Sequence, residues 1–206
     1  MQLEKIKEFI EPNRILDIGA NVGGWYNKCR ADYPDSYIFS IEANQECEQL
    51  LRAANPNCLI ALLAKDNKEY NFYVNDTLYS TGNSIYKELT EYYNETNTKV
   101  IKKQGVRLDD LFQDESFDLI KMDVQGAELD IIKGGLNTIQ KAQGLILEVA
   151  LKEYNQASPM HDEIVSYLET IGFSKKLILD NLVHNNEIYH QDIFFLNENI
   201  IRNRPH

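Results

Sequence analysis

The sequence predicts an open α/β fold, a doubly wound and mostly parallel sheet of seven strands in which one strand of a C-terminal hairpin runs antiparallel. Three observations predict it. Short apolar, β-rich runs alternate with segments of helical periodicity, the order that builds βαβ units. A glycine-rich turn joins the first strand to the first helix, where open α/β sheets bind ligands. The chain closes on two strands about a turn at His184-Asn185-Asn186.

The first eleven residues are amphipathic, with Leu3, Ile6, Phe9 and Ile10 at helical spacing among Glu and Lys. Strands follow at Arg14 to Ile18, Tyr37 to Ile41 and Cys58 to Leu63, separated by helices around Trp25 to Tyr33 and Gln45 to Ala54. In the second helix Cys47, Leu50, Leu51 and Ala54 share a face. Continuous apolar strands of this kind suit a parallel sheet covered on both faces, and right-handed crossovers wind it doubly. Phe117 to Met122 and Leu145 to Val149 supply two more central strands. A helix over Met160 to Ile171, a strand near Phe173 to Leu179 and a last strand from Ile188 to Leu196 complete the order. Between Ala64 and Asp109 the rhythm changes, and Glu69 to Val74 and Thr98 to Lys103 alternate like half-exposed strands. The polar stretch between them, about residues 75–97, reads as a substrate-facing insertion in a single domain spanning 1–206. Its Tyr79, Tyr86, Tyr92 and Tyr93 either line an aromatic pocket or pack the segment down.

The formal net charge of −11 argues against a nonspecific polyanion binder, since phosphate contacts need clustered Lys and Arg. Lys102-Lys103 and Lys175-Lys176 read as solvated strand or turn residues. No stretch approaches the roughly 18 uninterrupted apolar residues of a membrane span, and the N-terminus lacks the pattern of a secretory signal. The expected setting is the cytoplasm and the expected partner a small molecule. Cys29, Cys47 and Cys58 have neither disulfide nor zinc spacing and read as buried thiols.

Asp17-Ile-Gly-Ala-Asn-Val-Gly-Gly24 sits at a strand end and leads into a helix. Gly19 and Gly23 let the backbone turn tightly and approach a ligand, and the helix N-terminus suits a carboxylate. Asp17 is placed to order the loop and to pair, directly or through water, with a ligand ammonium group. A dinucleotide site would want G-x-G-x-x-G, and here the middle position is Asn21, whose side chain crowds a pyrophosphate. Glu42, at the end of the second strand, is placed to accept both hydroxyls of a ribose, a device that a dehydrogenase shares. Asp66 either contacts an adenine amino group or is simply a good turn residue.

Lys121-Met-Asp-Val-Gln-Gly-Ala-Glu128 puts Asp123 at the end of the fourth strand, across the switch point from the glycine loop. Glu128 complements the helix dipole or serves the site. Glu148, inside an apolar strand, is expected to reach the site, because charged groups are seldom buried alone.

Ile15-Leu-Asp-Ile-Gly-Ala-Asn-Val-Gly23, Ile41-Glu-Ala-Asn44, Val106-Arg-Leu-Asp-Asp-Leu111, Ile120-Lys-Met-Asp-Val-Gln-Gly-Ala-Glu128 and Ile131-Ile-Lys-Gly-Gly135 together resemble the FkbM-type methyltransferases. The resemblance runs from about Ile15 to Leu196. It implies a Rossmann-like class I methyltransferase fold, S-adenosylmethionine as donor, and a hydroxyl acceptor on a sugar, polyketide or other small metabolite. Carried over, Asp17, Gly19, Asn21, Gly23, Glu42 and Asp123 would bind the cofactor. The chain departs from the family where it has Asn44 or Gln45 in place of a frequent Pro, and Gln125 in place of a frequent Glu, which removes a charge near the reaction centre.

Methyl transfer from a sulfonium is an in-line displacement, so positioning dominates, and an alcohol acceptor also needs a base. Asp123 and Glu148 are the candidates, with His161 behind them. The same two acids are too few to assert a divalent metal site. Two rival readings are a nicotinamide-dependent oxidoreductase, disfavoured by Asn21 between the glycines, and a noncatalytic cofactor-binding protein.

Overall fold

The computed structural model describes residues 2–91, 93–184 and 186–202. The chain enters through a 3-10 helix over Leu3–Glu8, tighter than the α-helix that the apolar spacing predicts, with Leu3 and Ile6 buried. It then runs β1 (Arg14–Ile18), α1 (Gly24–Asp32), β2 (Tyr37–Glu42), α2 (Glu48–Ala54) and β3 (Cys58–Ile60). Next come β4 (Leu62–Leu63), β5 (Glu69–Asn75), β6 (Thr98–Val106), α3 (Leu108–Leu111) and β7 (Leu119–Met122). The last part is α4 (Glu128–Gly134), α5 (Leu136–Gln140), β8 (Gly144–Ala150), α6 (His161–Thr170), β9 (Phe173–His184), β10 (Glu187–Asn197) and α7 (Glu198–Arg202).

The main sheet has seven strands in the order β3-β2-β1-β7-β8-β10-β9. The order reverses between β1 and β7, whose parallel register sets Ile18 beside Met122 and so brings two strand ends to one switch point. The strands from β3 to β8 pair in parallel, and β10 runs antiparallel to both neighbours. Alternate residues of the buried strands serve opposite faces. Leu16, Ile120, Leu145 and Leu147 pack with Leu129, Ile132, Ile139 and Leu168 of the helices on one side. Ile15, Ile38, Leu119 and Ile146 pack with Ile6, Ile10, Cys29 and Tyr33 on the other. Burial of each such aliphatic side chain contributes about 1.5–3 kcal/mol, which is why Ile15, Leu16 and Ile18 of β1 are apolar on both faces and Asp17 is the exception.

Two local expectations differ. The run Cys58 to Leu63 is two strands, because the ladder with β2 ends on the bond from the Ala61 N–H to the Glu42 carbonyl and β4 then leaves to pair with β6. That switch creates a three-stranded sheet, β4-β6-β5. On α2, Leu51 is buried but Leu50 is 40% exposed, since the N-terminal part of that segment, Gln45–Cys47, is a 3-10 turn that shifts the phase of the face. All three cysteines are buried free thiols, as their spacing implies. Among the described residues, no helix is long and apolar enough to cross a membrane.

Candidate active site

The loop after β1 is built against the ends of its two neighbours. Gly19 and Ala20 donate their N–H groups to the Ile41 carbonyl at 2.9 and 3.1 Å, and Asp123 N–H donates to the Ile18 carbonyl at 3.1 Å. Gly19 has φ +77°, and a Cβ there would lie 1.9 Å from the Asp123 carbonyl oxygen, so only glycine allows the two strand ends to meet. Gly23 serves a different contact: a Cβ on it would lie 2.7 Å from Ala54 Cβ, so it seats the loop on α2.

Asn21 takes a left-handed backbone (φ +48°) and uses its side chain upward, donating from Nδ2 to the carbonyls of Tyr79 and Ser80 at 3.2 and 3.3 Å. Its N–H donates to Glu42 Oε2 at 2.7 Å, and the Asn44 N–H donates to Glu42 Oε1 at 2.6 Å. Glu42 is thereby fixed at the mouth of a crevice, and each oxygen keeps a further lone pair. Burial raises its pKa, opposed by those N–H groups.

The crevice holds a cavity of about 90 Å³ between Gly19, Asn21 and Glu42 on one side and apolar Ile41, Leu62, Phe72 and Ile131 on the other. Typical ligand pockets start near 300 Å³. The roof of this cavity is formed by Ser80, Thr81, Asn83, Ser84 and Ile85, a segment that the Asn21 amide ties to the loop at Tyr79 and Ser80. A larger cavity of about 1130 Å³ adjoins it, sharing Ser80 and Thr81 of that roof and walled besides by Glu88 and by Gln125, Glu148, Tyr154 and His190. Asp123 lines both cavities.

Behind Asp123 lies a residue that the sequence reading passed over. Lys121 is 3% exposed, and its Nζ stands 3.4 Å from Asp17 Oδ1 and 3.4 Å from Asp123 Oδ2. Burial alone pulls its pKa down, but Asp123 and Asp17 outweigh that and hold it above its ordinary value. Asp17 is fully buried and lines neither cavity; neither carboxylate oxygen has a hydrogen-bond partner of good geometry among the described residues. It acts on the site as the counter-charge beneath Lys121. The signal for Lys121 was in the sequence, a cation inside the apolar run Leu119–Met122, the same argument that picked out Glu148.

On the far side of Asp123, Gln125 donates from Nε2 to Asp123 Oδ1 at 3.1 Å and to Glu148 Oε2 at 2.7 Å, while its Oε1 accepts the Tyr154 hydroxyl at 3.0 Å. A carboxylate at this position would face two others, so the amide is what allows Asp123 and Glu148 to share one wall. Glu148 Oε1 is 2.9 Å from His190 Nδ1, and the His190 ring stacks on Tyr154 at 4.2 Å. Burial, with Asp123 adding to it and His190 opposing, pushes Glu148 up to about 7. His190 was invisible to pattern reading, because it reaches Glu148 diagonally across the β8–β10 register.

Three remaining candidates lie elsewhere. Asp66 lines neither cavity, and its carboxylate is taken by Lys68 Nζ and the Tyr70 hydroxyl, both at 2.8 Å, within the turn. Glu128 Oε1 accepts the Val124 N–H at 3.0 Å and closes the loop after β7; burial pushes it up to about 8. His161 sits at the start of α6 beside Asp162, away from both cavities. Of the four tyrosines, Tyr79 and Tyr93 line the larger cavity, Tyr86 donates to Asp130 at 2.6 Å, and Tyr92 lies outside the described residues. No group of three or more His, Cys, Asp or Glu is placed to hold a metal ion among the described residues.

The model of the methyltransferase FkbM domain matches residues 17–175. The chain belongs to that family. The match runs from the end of β1 to the start of β9, so it includes the glycine loop, Glu42, the Lys121–Glu128 segment and Glu148. No curated protein matches the chain significantly. Among solved structures, methyltransferase FkbM from Methylobacillus flagellatus KT is 14% identical with a TM-score of 0.56 over 89% of this chain and 43% of its own. The present chain thus spans less than half of that protein. Magnesium protoporphyrin IX methyltransferase from Synechocystis PCC 6803, solved with bound SAM, is 12% identical with a TM-score of 0.54 over 95% of this chain and 74% of its own. A TehB-like SAM-dependent methyltransferase from Corynebacterium glutamicum is 12% identical with a TM-score of 0.50 over 93% and 84%. At these identities the likeness is one of fold, the class I methyltransferase fold. The glycine loop, Glu42 and the Lys121–Glu128 segment meet at the β1/β7 switch point, whereas the segment 106–111 packs on Gly135 and binds the start of α5 through Asp109.

Proposed function

We propose that this FkbM-family chain transfers a methyl group from S-adenosylmethionine to a hydroxyl of a small metabolite or sugar in the cytoplasm. The observation that carries the reading is that Asp123 lines both cavities, so a donor seated in one and an acceptor seated in the other would meet at its carboxylate.

The residues of the smaller cavity fit the donor. Glu42 offers two fixed acceptor oxygens to a vicinal diol, and Ile41, Leu62, Phe72 and Ile131 offer apolar surface to a flat base. Gly19 and Asn21 shape the loop that this donor would border. Asp123, backed by Lys121 and Asp17, would face the ammonium and sulfonium end. When bound, the donor supplies an electrophilic methyl. The roof over about residues 75–97 would act as the acceptor-facing insertion and would lift to admit the donor.

The chain's own share of the chemistry is alignment and proton removal. Glu148, pushed up to about 7, is suited to take the hydroxyl proton near neutrality. Gln125 and His190 hold its two oxygens in place. Departure of methyl from a sulfonium removes positive charge from the donor, so Asp123 needs no proton transfer of its own.

The test is calorimetric titration of the protein with S-adenosylhomocysteine and, separately, with NAD. Binding of the homocysteine compound is expected, and replacing Glu42 with Ala should weaken it by at least ~1 kcal/mol, about fivefold. Binding of NAD in its place would sink the reading.

A further inference from the structure

The larger cavity carries a charge pattern that methyl transfer itself does not require. Four carboxylates line it, those of Glu88, Glu91, Asp123 and Glu148, and no lysine or arginine does among the described residues. Asp123 and Glu148 have partners at the donor side, in Lys121, Gln125 and His190. Glu88 and Glu91 line only the larger cavity. No ion pair joins either of them to a basic side chain among the described residues, although the charge of His190, which lines the same cavity, acts on Glu88.

Glu88 is the more telling of the two. It is 8% exposed, and its Oε1 accepts the Thr90 hydroxyl. No hydrogen bond reaches its Oε2 from the described residues, and that oxygen lies over Gly82, where a Cβ would come within 2.5 Å of it. Burial raises its pKa. A carboxylate held this deep without a cation is costly unless something in the cavity answers it. Tyr79 and Tyr93 line the same cavity and offer ring faces that favour cations, and Thr77 and Thr81 bring hydroxyls that suit a polyol, whereas the Tyr154 ring is already stacked on His190 and Lys152 Nζ stands 5.3 Å over the Tyr189 ring.

We infer that the acceptor is an amine-bearing, polyhydroxylated small molecule whose protonated amine seats on Glu88, and that phosphorylated acceptors are excluded. The inference rests on the methyltransferase reading for the word acceptor, but the cation preference belongs to the cavity alone. A protonated amine brings up to three donors to the free Glu88 oxygen and its neighbours, whereas a phosphate would meet the Glu88 and Glu91 carboxylates with no lysine or arginine among the described lining residues to answer it.

The test compares three probes, glucosamine, N-acetylglucosamine and glucosamine 6-phosphate, by ligand-observed NMR titration of the protein saturated with S-adenosylhomocysteine. Glucosamine is expected to bind at least about tenfold more tightly than the other two, and E88Q is expected to reduce that ratio to about two or less. Equal binding of the three probes, a preference for the phosphate, no detectable glucosamine binding, or a ratio unchanged in E88Q would overturn the inference. The wild-type comparison decides the matter even if E88Q fails to fold. Failure to saturate with S-adenosylhomocysteine would instead strike the methyltransferase reading, and the three probes are then ranked on the protein alone.

Discussion

Replacing Lys121 with methionine removes the one cation between two carboxylates and leaves Asp17 buried without a counter-charge. At 3.4 Å each contact is worth about 5 kcal/mol of gross attraction at an effective dielectric near 20. Most of that offsets desolvation, and the measured cost of removing one partner from a buried pair is about 3–5 kcal/mol. For a chain of this length, about 2–4 °C of melting temperature goes with each kcal/mol, so K121M should melt roughly 10 °C below wild type at neutral pH. The loss should shrink in acid. Without Lys121 the Asp17 carboxyl has a folded-state pKa still further above its unfolded value, so the variant is most stable below the unfolded value and loses stability as pH rises through the folded one. The double variant D17N/K121M, with neither charge, should recover most of the loss. Thermal unfolding followed by circular dichroism at several pH values measures all three. A K121M midpoint within about 2 °C of wild type at neutral pH, or a double variant no more stable than the single one, would refute the idea that Lys121 is balanced by Asp17.

The rate of methyl transfer should climb tenfold per pH unit below about 7 and level off above it, since burial and Asp123 push Glu148 to about 7 and only its ionised form accepts a proton. E148Q should lose that limb and slow transfer by about 10²–10⁴-fold; a wild-type rate that is flat from about pH 6 to 8 would assign the base elsewhere. Glu128 holds its proton to about 8 in the folded chain, far above its unfolded value, so its share of stability is full in acid and is lost as pH rises through that window. E128Q keeps an acceptor for the Val124 N–H and should flatten the decline in urea midpoint between about pH 5 and 8, whereas an unchanged slope would contradict the assignment. G19A should destabilise by at least ~2 kcal/mol, because φ is +77° and the new methyl would lie 1.9 Å from a backbone oxygen; urea denaturation measures it, and a wild-type midpoint would mean that the loop and β7 can separate freely.

What was legible in the sequence had local causes. Apolar runs that fill both faces of a parallel strand, a glycine turn between strand and helix, and an acid at a strand end are written in adjacent residues, so β1, its loop, Glu42 and Asp123 could be placed before any coordinates. Glu148 was legible for a related reason, a charge standing where the pattern demands an apolar side chain. The tertiary structure alone decided the rest. Whether a carboxylate faces a cavity, a lysine or a backbone N–H depends on which strands are neighbours and in what register. Asp17 therefore turned out to lie beneath Lys121 and Asp66 to lie in its own turn, while His190 reached Glu148 across an antiparallel pair. Residues 75–97 have no period from which to read a structure, and their roof over the crevice is tied down by contacts far along the chain, such as Asn21 to Tyr79 and Ser84 to Gln125. Glu88, on which the acceptor's charge turns, belongs to that segment, and its burial is a property of the packing around it.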